Sequence, residues 1–249
     1  MFCSAVTVLL WLSPVLVPPQ TAEDVLRAVV WMHAPLESPP ADSVFVTTGT
    51  RSESVADQPI TTVYTRVRKG EDMFIEIERV TLAGQTMQTV TRFDGRVGWI
   101  SMSDGKAKNS REMNQEEIRA LQRRKALAAV TQPHLILKSK NTRLARLKDE
   151  RLNGTSVYVV RVDGAEASVL YVDQKSLLVV KVAVLEPGPD GKVAYEQRYS
   201  DFRRTASGMI GMKAEVGAEG TTEVINIIDS IELKSAKDFP DEVFRKPKQ

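Results

Sequence analysis

Two histidines, His33 and His134, one cysteine, Cys3, and the acidic side chains are all that this 249-residue chain offers a metal ion. Neither histidine lies in an H-E-x-x-H or H-x-x-E-H motif, and two histidines with one cysteine do not complete a Cys/His zinc shell. A metallopeptidase is excluded. The serines, Ser101, Ser168 and Ser200 among them, occur in no G-x-S-x-G elbow, and a serine–histidine pair would have to recruit a histidine that stands beside Pro133 or just before Pro35. Hydrolase chemistry is therefore disfavoured, and both histidines are better explained as polar residues at a helix end or in a loop. There is no G-x-x-x-x-G-K-[ST] and no G-x-G-x-x-G after a strand, so no nucleotide is indicated and no cofactor is expected.

The acidic residues have simple explanations. Asp94 and Asp163 each precede a glycine, the signature of a turn, and Asp201 is read in the same way. Glu76 and Glu78 stand two apart in DMFIEIE and share a strand face; they could hold a cation, but a solvated face is the simpler reading. The densest positive stretch, KSKNTRLARLKDER, contains Lys138, Lys140, Arg143 and Arg146. Its plain reading is a solvated connection, and its functional reading is a patch for anionic lipid headgroups or an acidic partner.

The elements that must position these residues follow from periodicity. Thr21 with Asp24 caps a helix carrying Val25, Leu26, Val29, Val30 and Met32, which ends before Pro35. From Ser43 the period changes to two: SVFVTTG, TTVYTRVR, DMFIEIERVT, QTMQTVTRF and RVGWISM are five sequential antiparallel strands, with Asp94-Gly95 as a hairpin turn. Met73, Ile75 and Ile77 form a greasy side and Glu76 and Glu78 a wet one, so one side needs a cover. Asn114 with Glu117 at the capping-box position starts the best amphipathic helix, through EEIRALQRRKALAAV to Pro133, with Ile118, Leu121, Leu127 and Val130 in its apolar stripe. This helix is expected to supply the cover. Six further strands follow, from SVYVVRV to TTEVINIIDSIEL, for a total of about eleven, near the limit at which an open sheet must curl.

Composition agrees with a folded body: 42% of residues are hydrophobic, 27% are charged, and 34 basic residues against 32 acidic leave +2. That excludes a disordered tail and a polytopic membrane protein, and it provides no field that would gather nucleic acid. The apolar run AVTVLLWLSPVLV is too short to span a bilayer and is followed by prolines and small residues up to Ala22. We expect residues 1–22 to be a secretory signal, with a weak n-region, and 23–249 to be one domain. Cleavage would leave a chain without cysteine, which suits an oxidising compartment.

The order of the motifs carries a resemblance. A first helix, the strand meander with FDGRVGW, the helix from NQEEIRAL, then LNGTSVYVVRV, VLYVDQKSLLVVKVAV, YEQRYSDFR with GMIGMKAEV, and a terminal DFPDEVFRKP resemble the LolA-like family of outer-membrane lipoprotein-sorting proteins. The likeness covers nearly all of the expected mature chain. It implies a mainly antiparallel β fold with helices (α+β): an incomplete, strongly curved β-barrel covered by the N-terminal helix and a central lid helix, with a hydrophobic hollow for acyl chains.

On that basis the expected function is a periplasmic, non-catalytic, monomeric carrier of lipoprotein acyl chains or other lipid-like ligands, partnered by a membrane-bound donor or receptor. The expected lining is Ile75, Ile77, Met87, Trp99, Tyr171 and Leu178 from the sheet with Leu121 and Leu127 from the lid. The simpler reading of Trp99 is core, and that of Met87, like Met73, Met102, Met209 and Met212, is filler. The alternatives are a periplasmic sensor that recognises lipoproteins and an accessory domain partnering an insulinase-type peptidase, whose core would be filled.

Overall fold

A computed structural model of the chain describes residues 19–33, 40, 42–55, 57–70, 73–130, 133–164, 167–186 and 192–246, without the side chains of 123–130. The apolar run of the expected signal lies outside them. Among the described residues fourteen strands form one antiparallel sheet, with three α-helices. In chain order these are α1 (Ala22–His33), β1 (Ser43–Val55), β2 (Gln58–Lys69), β3 (Met73–Leu82), β4 (Gln85–Asp94), β5 (Gly98–Ser103) and β6 (Lys108–Glu112). Next come α2 (Gln115–Val130), α3 (Pro133–Lys138), β7 (Arg143–Arg146), β8 (Glu150–Leu152) and β9 (Thr155–Asp163). The chain then runs through β10 (Ser168–Asp173), β11 (Val179–Leu185), β12 (Val193–Thr205), β13 (Gly208–Gly217) and β14 (Val224–Ser235).

The spatial order is β6-β5-β4-β3-β2-β1-β14-β13-β12-β11-β10-β9-β7, with β8 also paired to β9. The two meanders are joined by the long β1–β14 pair, whereas β6 and β7 end the sheet without pairing to each other, so it is curved and open. The count exceeds the expected eleven by β6, β7 and β8. All five residues of β6 are exposed, and β7 and β8 lie within the basic stretch expected to be a connection. Short strands with little or no buried side leave no clear alternation to detect.

Local signals worked where they were local. Thr21 and Asp24 cap α1 reciprocally: the Asp24 amide donates to Thr21 Oγ1 at 3.1 Å and the Thr21 amide to Asp24 Oδ2 at 3.0 Å. Thr21 and Ala22, placed at the end of the expected signal, therefore belong to the helix, and Ala22 is buried. Val25, Leu26 and Val29 are buried, whereas Met32, expected on the same stripe, is exposed. Asn114 and Glu117 form the second capping box, at 2.8 and 2.9 Å. At Asp94-Gly95 the aspartate accepts the amides of Arg96 and Val97, and Gly95 takes a φ of 99°. Asp201 does not end a strand. It has a φ of 51° inside β12, where the β13 register skips it between Ser200 and Phe202, and it pairs with Arg203.

Each face of the sheet has its own cover. On one face α1 and α3 pack on Tyr158, Val160, Leu170, Val182 and Val184, with Ile136 of α3 in the same cluster. Farther across, Ile118 and Leu121 of α2 pack with Met113 on Phe93, Phe74 and Ile100. Cross-strand partners share a face, and the row Tyr199–Ala214–Asn226–Arg51 connects these regions through β12, β13, β14 and β1. Tyr199 packs against the α1 cluster, and Arg51 bonds Glu78, on the same side of β3 as Phe74. All three helices therefore lie on one face. The other face carries Val44, Val46, Val67, Ile75 and Val90, sealed by Phe244 from a C-terminal 3-10 turn at Asp241–Phe244.

Candidate ligand face

The helix-bearing face changes character along β1 to β5. Next to α2 it is apolar, with Phe74 and Phe93 at 5.9 Å between ring centroids. The neighbouring rows are charged. Arg66 pairs with Glu76 directly across β2 and β3, and Arg66 also lies 5.8 Å from the Tyr64 ring centroid. Arg51 Nη1 donates to Glu78 Oε1 at 2.8 Å. Tyr64 lies over Gly49, where an added Cβ would come within 2.6 Å of the Tyr64 hydroxyl oxygen, so only glycine leaves the ring room. Burial pushes the Glu78 carboxyl above its ordinary pKa, nearby Glu76 adds to the rise, and Arg51 opposes it. The solvated-face reading of Glu76 and Glu78 is thereby corrected: Glu76 is 7% exposed, and both carboxylates are spent on arginines.

On β3 and β4 the face turns apolar again beyond Glu78 without acquiring a cover, starting in the row that holds Arg51 on β1. Val80 pairs with Met87, and Leu82 continues the same side of β3. Met102 pairs with Thr89, which pairs with Glu78, so it belongs to this face as well. Leu82, Met87 and Met102 are 43%, 43% and 47% exposed, and Val55 at the end of β1 is 51% exposed. This strip of four exposed apolar side chains with Val80 is the candidate ligand surface. At α1, by contrast, Leu26 of the helix and Val160, Leu170 and Val172 of the sheet beneath it have no exposure at all, so that part of the helix-bearing face is packed solid.

The expected lining residues are only partly brought together. Leu121, on α2, packs onto the helix-bearing face, and Met87 lies in the open strip. Ile75 and Ile77 alternate with Glu76 and Glu78 and point to the opposite face, where Ile75 is buried in the Phe244 cluster and Ile77 packs against it. Trp99 pairs with Arg92, the partner of Ile75, and shares that opposite face. Tyr171 pairs with Lys181, whose Nζ lies 4.8 Å from its ring centroid, while its neighbours Leu170 and Val172 face the helices. Leu178 sits in the β10–β11 turn, where its carbonyl accepts the Asp173 amide. Leu127 lies on α2, with its side chain outside the described residues. The expectation that α2 covers the greasy side of β3 is corrected, because the C-terminal turn occupies that side.

The positive stretch divides in a similar way. Lys138, Lys140 and Arg143 are exposed, on α3, the loop after it and β7. Arg146 is not part of an open patch: it pairs with Asp149, donates to the Leu147 carbonyl and stacks 4.7 Å from the Tyr158 ring centroid. Among the described residues no group of three or more His, Cys, Asp or Glu is placed to hold a metal ion, and no described helix is long and apolar enough to cross a membrane. A separate cleft of about 340 Å3 opens on the helix-free face, between Leu152, Val157, Val180, Arg198 and Glu215.

No family model and no curated protein matches the sequence. Solved structures do match the fold. A domain from Vibrio parahaemolyticus described as an outer membrane lipoprotein-sorting protein domain superposes with a TM-score of 0.54 at 10% identity, over 90% of this chain and 97% of that one. A LolA superfamily protein from Nitrosomonas europaea gives 0.51 at 16% identity, over 91% and 98%. A DUF1329 family protein from Desulfovibrio piger gives 0.51 at 9% identity, over 90% and 95%. At these identities the likeness concerns backbone architecture, and it spans nearly the whole of each chain. The open sheet with its three helices on one face is the LolA-like fold.

Proposed function

We propose that this protein is a non-catalytic, periplasmic binding protein or carrier for the acyl chains of lipoproteins or similar lipid-like ligands. It would act as a monomer, receiving its ligand from a membrane-bound donor or passing it to a receptor. The observation that carries this reading is the uncovered apolar strip of Leu82, Met87, Met102 and Val55 on the helix-bearing face of a LolA-like sheet. Methionine suits a ligand without fixed shape, because its unbranched thioether adapts to its neighbour.

The energetics fit a carrier better than a permanent store. A tail of about fifteen methylenes gains on the order of 12 kcal/mol on complete transfer from water. A strip that covers one side of the tail returns part of that, which keeps the ligand exchangeable. The test is binding of an environment-sensitive apolar dye to delipidated protein, with Met87→Glu and Met102→Glu as variants. Saturable binding that weakens about tenfold in either variant supports the strip. No binding at tens of micromolar would overturn the proposal.

A further inference from the structure

Two exposed side chains of the strip, Met87 and Met102, are thioethers on adjacent strands. Met102 pairs with Thr89, which stands two residues along β4 from Met87 on the same face, so the two side chains are diagonal neighbours. The other methionines of the described residues are placed differently. Met113 and Met212 are buried, Met73 packs against the Phe244 cluster, Met209 is half-buried on β13, and Met32 is exposed at the end of α1. Met87 and Met102 belong to none of the four buried clusters of the described residues. The sole cysteine, Cys3, precedes the described residues, so within the fold these exposed thioethers are the sulfur groups open to an oxidant.

We propose that Met87 and Met102 are a reversible modification site for hydroperoxides, at which sulfoxide formation switches off the acyl-chain surface and leaves the fold intact. This rests on the strip as the ligand surface. A sulfur lone pair takes the terminal oxygen of the hydroperoxide as the O–O bond breaks. The sulfur is oxidised by two electrons, the leaving oxygen keeps the bonding pair, and the hydroxyl proton passes to it, giving water or an alcohol. The product replaces a flexible apolar side chain by a polar, chiral one. At a core position such as Met212 that change disrupts packing, whereas at Met87 and Met102 it removes the apolar surface from β4 and β5 alone. Methionine sulfoxide reductases, one for each epimer, return the thioether and with it the surface.

The experiment treats delipidated protein with dilute hydrogen peroxide, maps the modified residues by peptide mass spectrometry, and compares apolar-dye binding and melting temperature before and after. In the wild type Met87 and Met102 should gain oxygen ahead of Met113 and Met212, the dye affinity should fall about tenfold, and the melting temperature should hold. Sulfoxide reductase treatment should restore the binding. Met32→Leu should respond as the wild type does. The double variant Met87→Leu, Met102→Leu, whatever its own affinity, should bind the dye equally before and after peroxide. Resistance of Met87 and Met102 to peroxide, an equal loss in the double variant, or a melting temperature that falls with the binding overturns the switch. Weakened binding in Met87→Glu together with undiminished binding after oxidation overturns the switch and leaves the strip standing. Absence of dye binding before oxidation overturns both.

Discussion

His33 Nε2 donates to the Ser176 carbonyl oxygen at 2.7 Å, tying the C-terminal end of α1 to the β10–β11 turn across 143 residues of chain. The other ring nitrogen, Nδ1, is buried without a hydrogen-bond partner. His33→Ala loses a bond worth about 1 kcal/mol and also removes an unsatisfied buried nitrogen, so the two effects partly offset. The expected result is a small change in melting temperature with a clear loss of amide exchange protection in the last turn of α1. Unchanged protection there would show that the tether is idle.

Ser168 is fully buried among valines, and its hydroxyl has no hydrogen-bond partner. Removing an unsatisfied buried polar group relieves its desolvation cost. Ser168→Ala is therefore expected to raise stability, by up to about 1 kcal/mol, as read from the midpoint of urea unfolding. A fall in the midpoint would mean that the hydroxyl is satisfied in solution.

Phe244 and Ile75 meet on the face away from the helices. Phe244→Ala should cost about 3–5 kcal/mol, and the milder Phe244→Leu about 1 kcal/mol, by opening the cover over Val44, Val67 and Ile75. Because that face is not the proposed ligand surface, Phe244→Leu should bind the apolar dye as the wild type does. Weakened binding in a folded Phe244→Leu protein would place the ligand on the wrong face in our proposal.

The Arg111 guanidinium holds the Glu117 carboxyl down, from an ordinary 4.5 to about 2, and the Asn114 amide assists. A carboxyl depressed on folding contributes stability that is complete above its ordinary pKa and is lost as pH falls through its folded pKa. The start of α2 should therefore hold at neutral pH and loosen between pH 4.5 and about 2. Amide exchange over α2, followed as a function of pH, should show this loosening in the wild type and not in Glu117→Gln.

Both capping boxes were legible in the sequence because a cap is a contract between residues three apart and needs nothing from the rest of the chain. The long strands were legible for a similar reason, since each shows alternation within its own ten or so residues. Edge strands β6, β7 and β8 were not, because strands with little or no buried face leave little pattern in residue type. The resemblance anticipated the open curved sheet with helices on one side. The sequence alone also separated Ile75 and Ile77 from Glu76 and Glu78, but alternation is symmetric: it divides a strand into two sets and does not say which set meets a helix. That choice was made by tertiary competition. Phe244, 169 residues beyond Ile75, takes the greasy side of β3, so α2 settles on Phe74 and Phe93 and the ion-paired glutamates share its face. The candidate ligand face is thus decided by which distant segment buries the larger apolar area on each side of the sheet, a quantity that no local stretch of sequence contains.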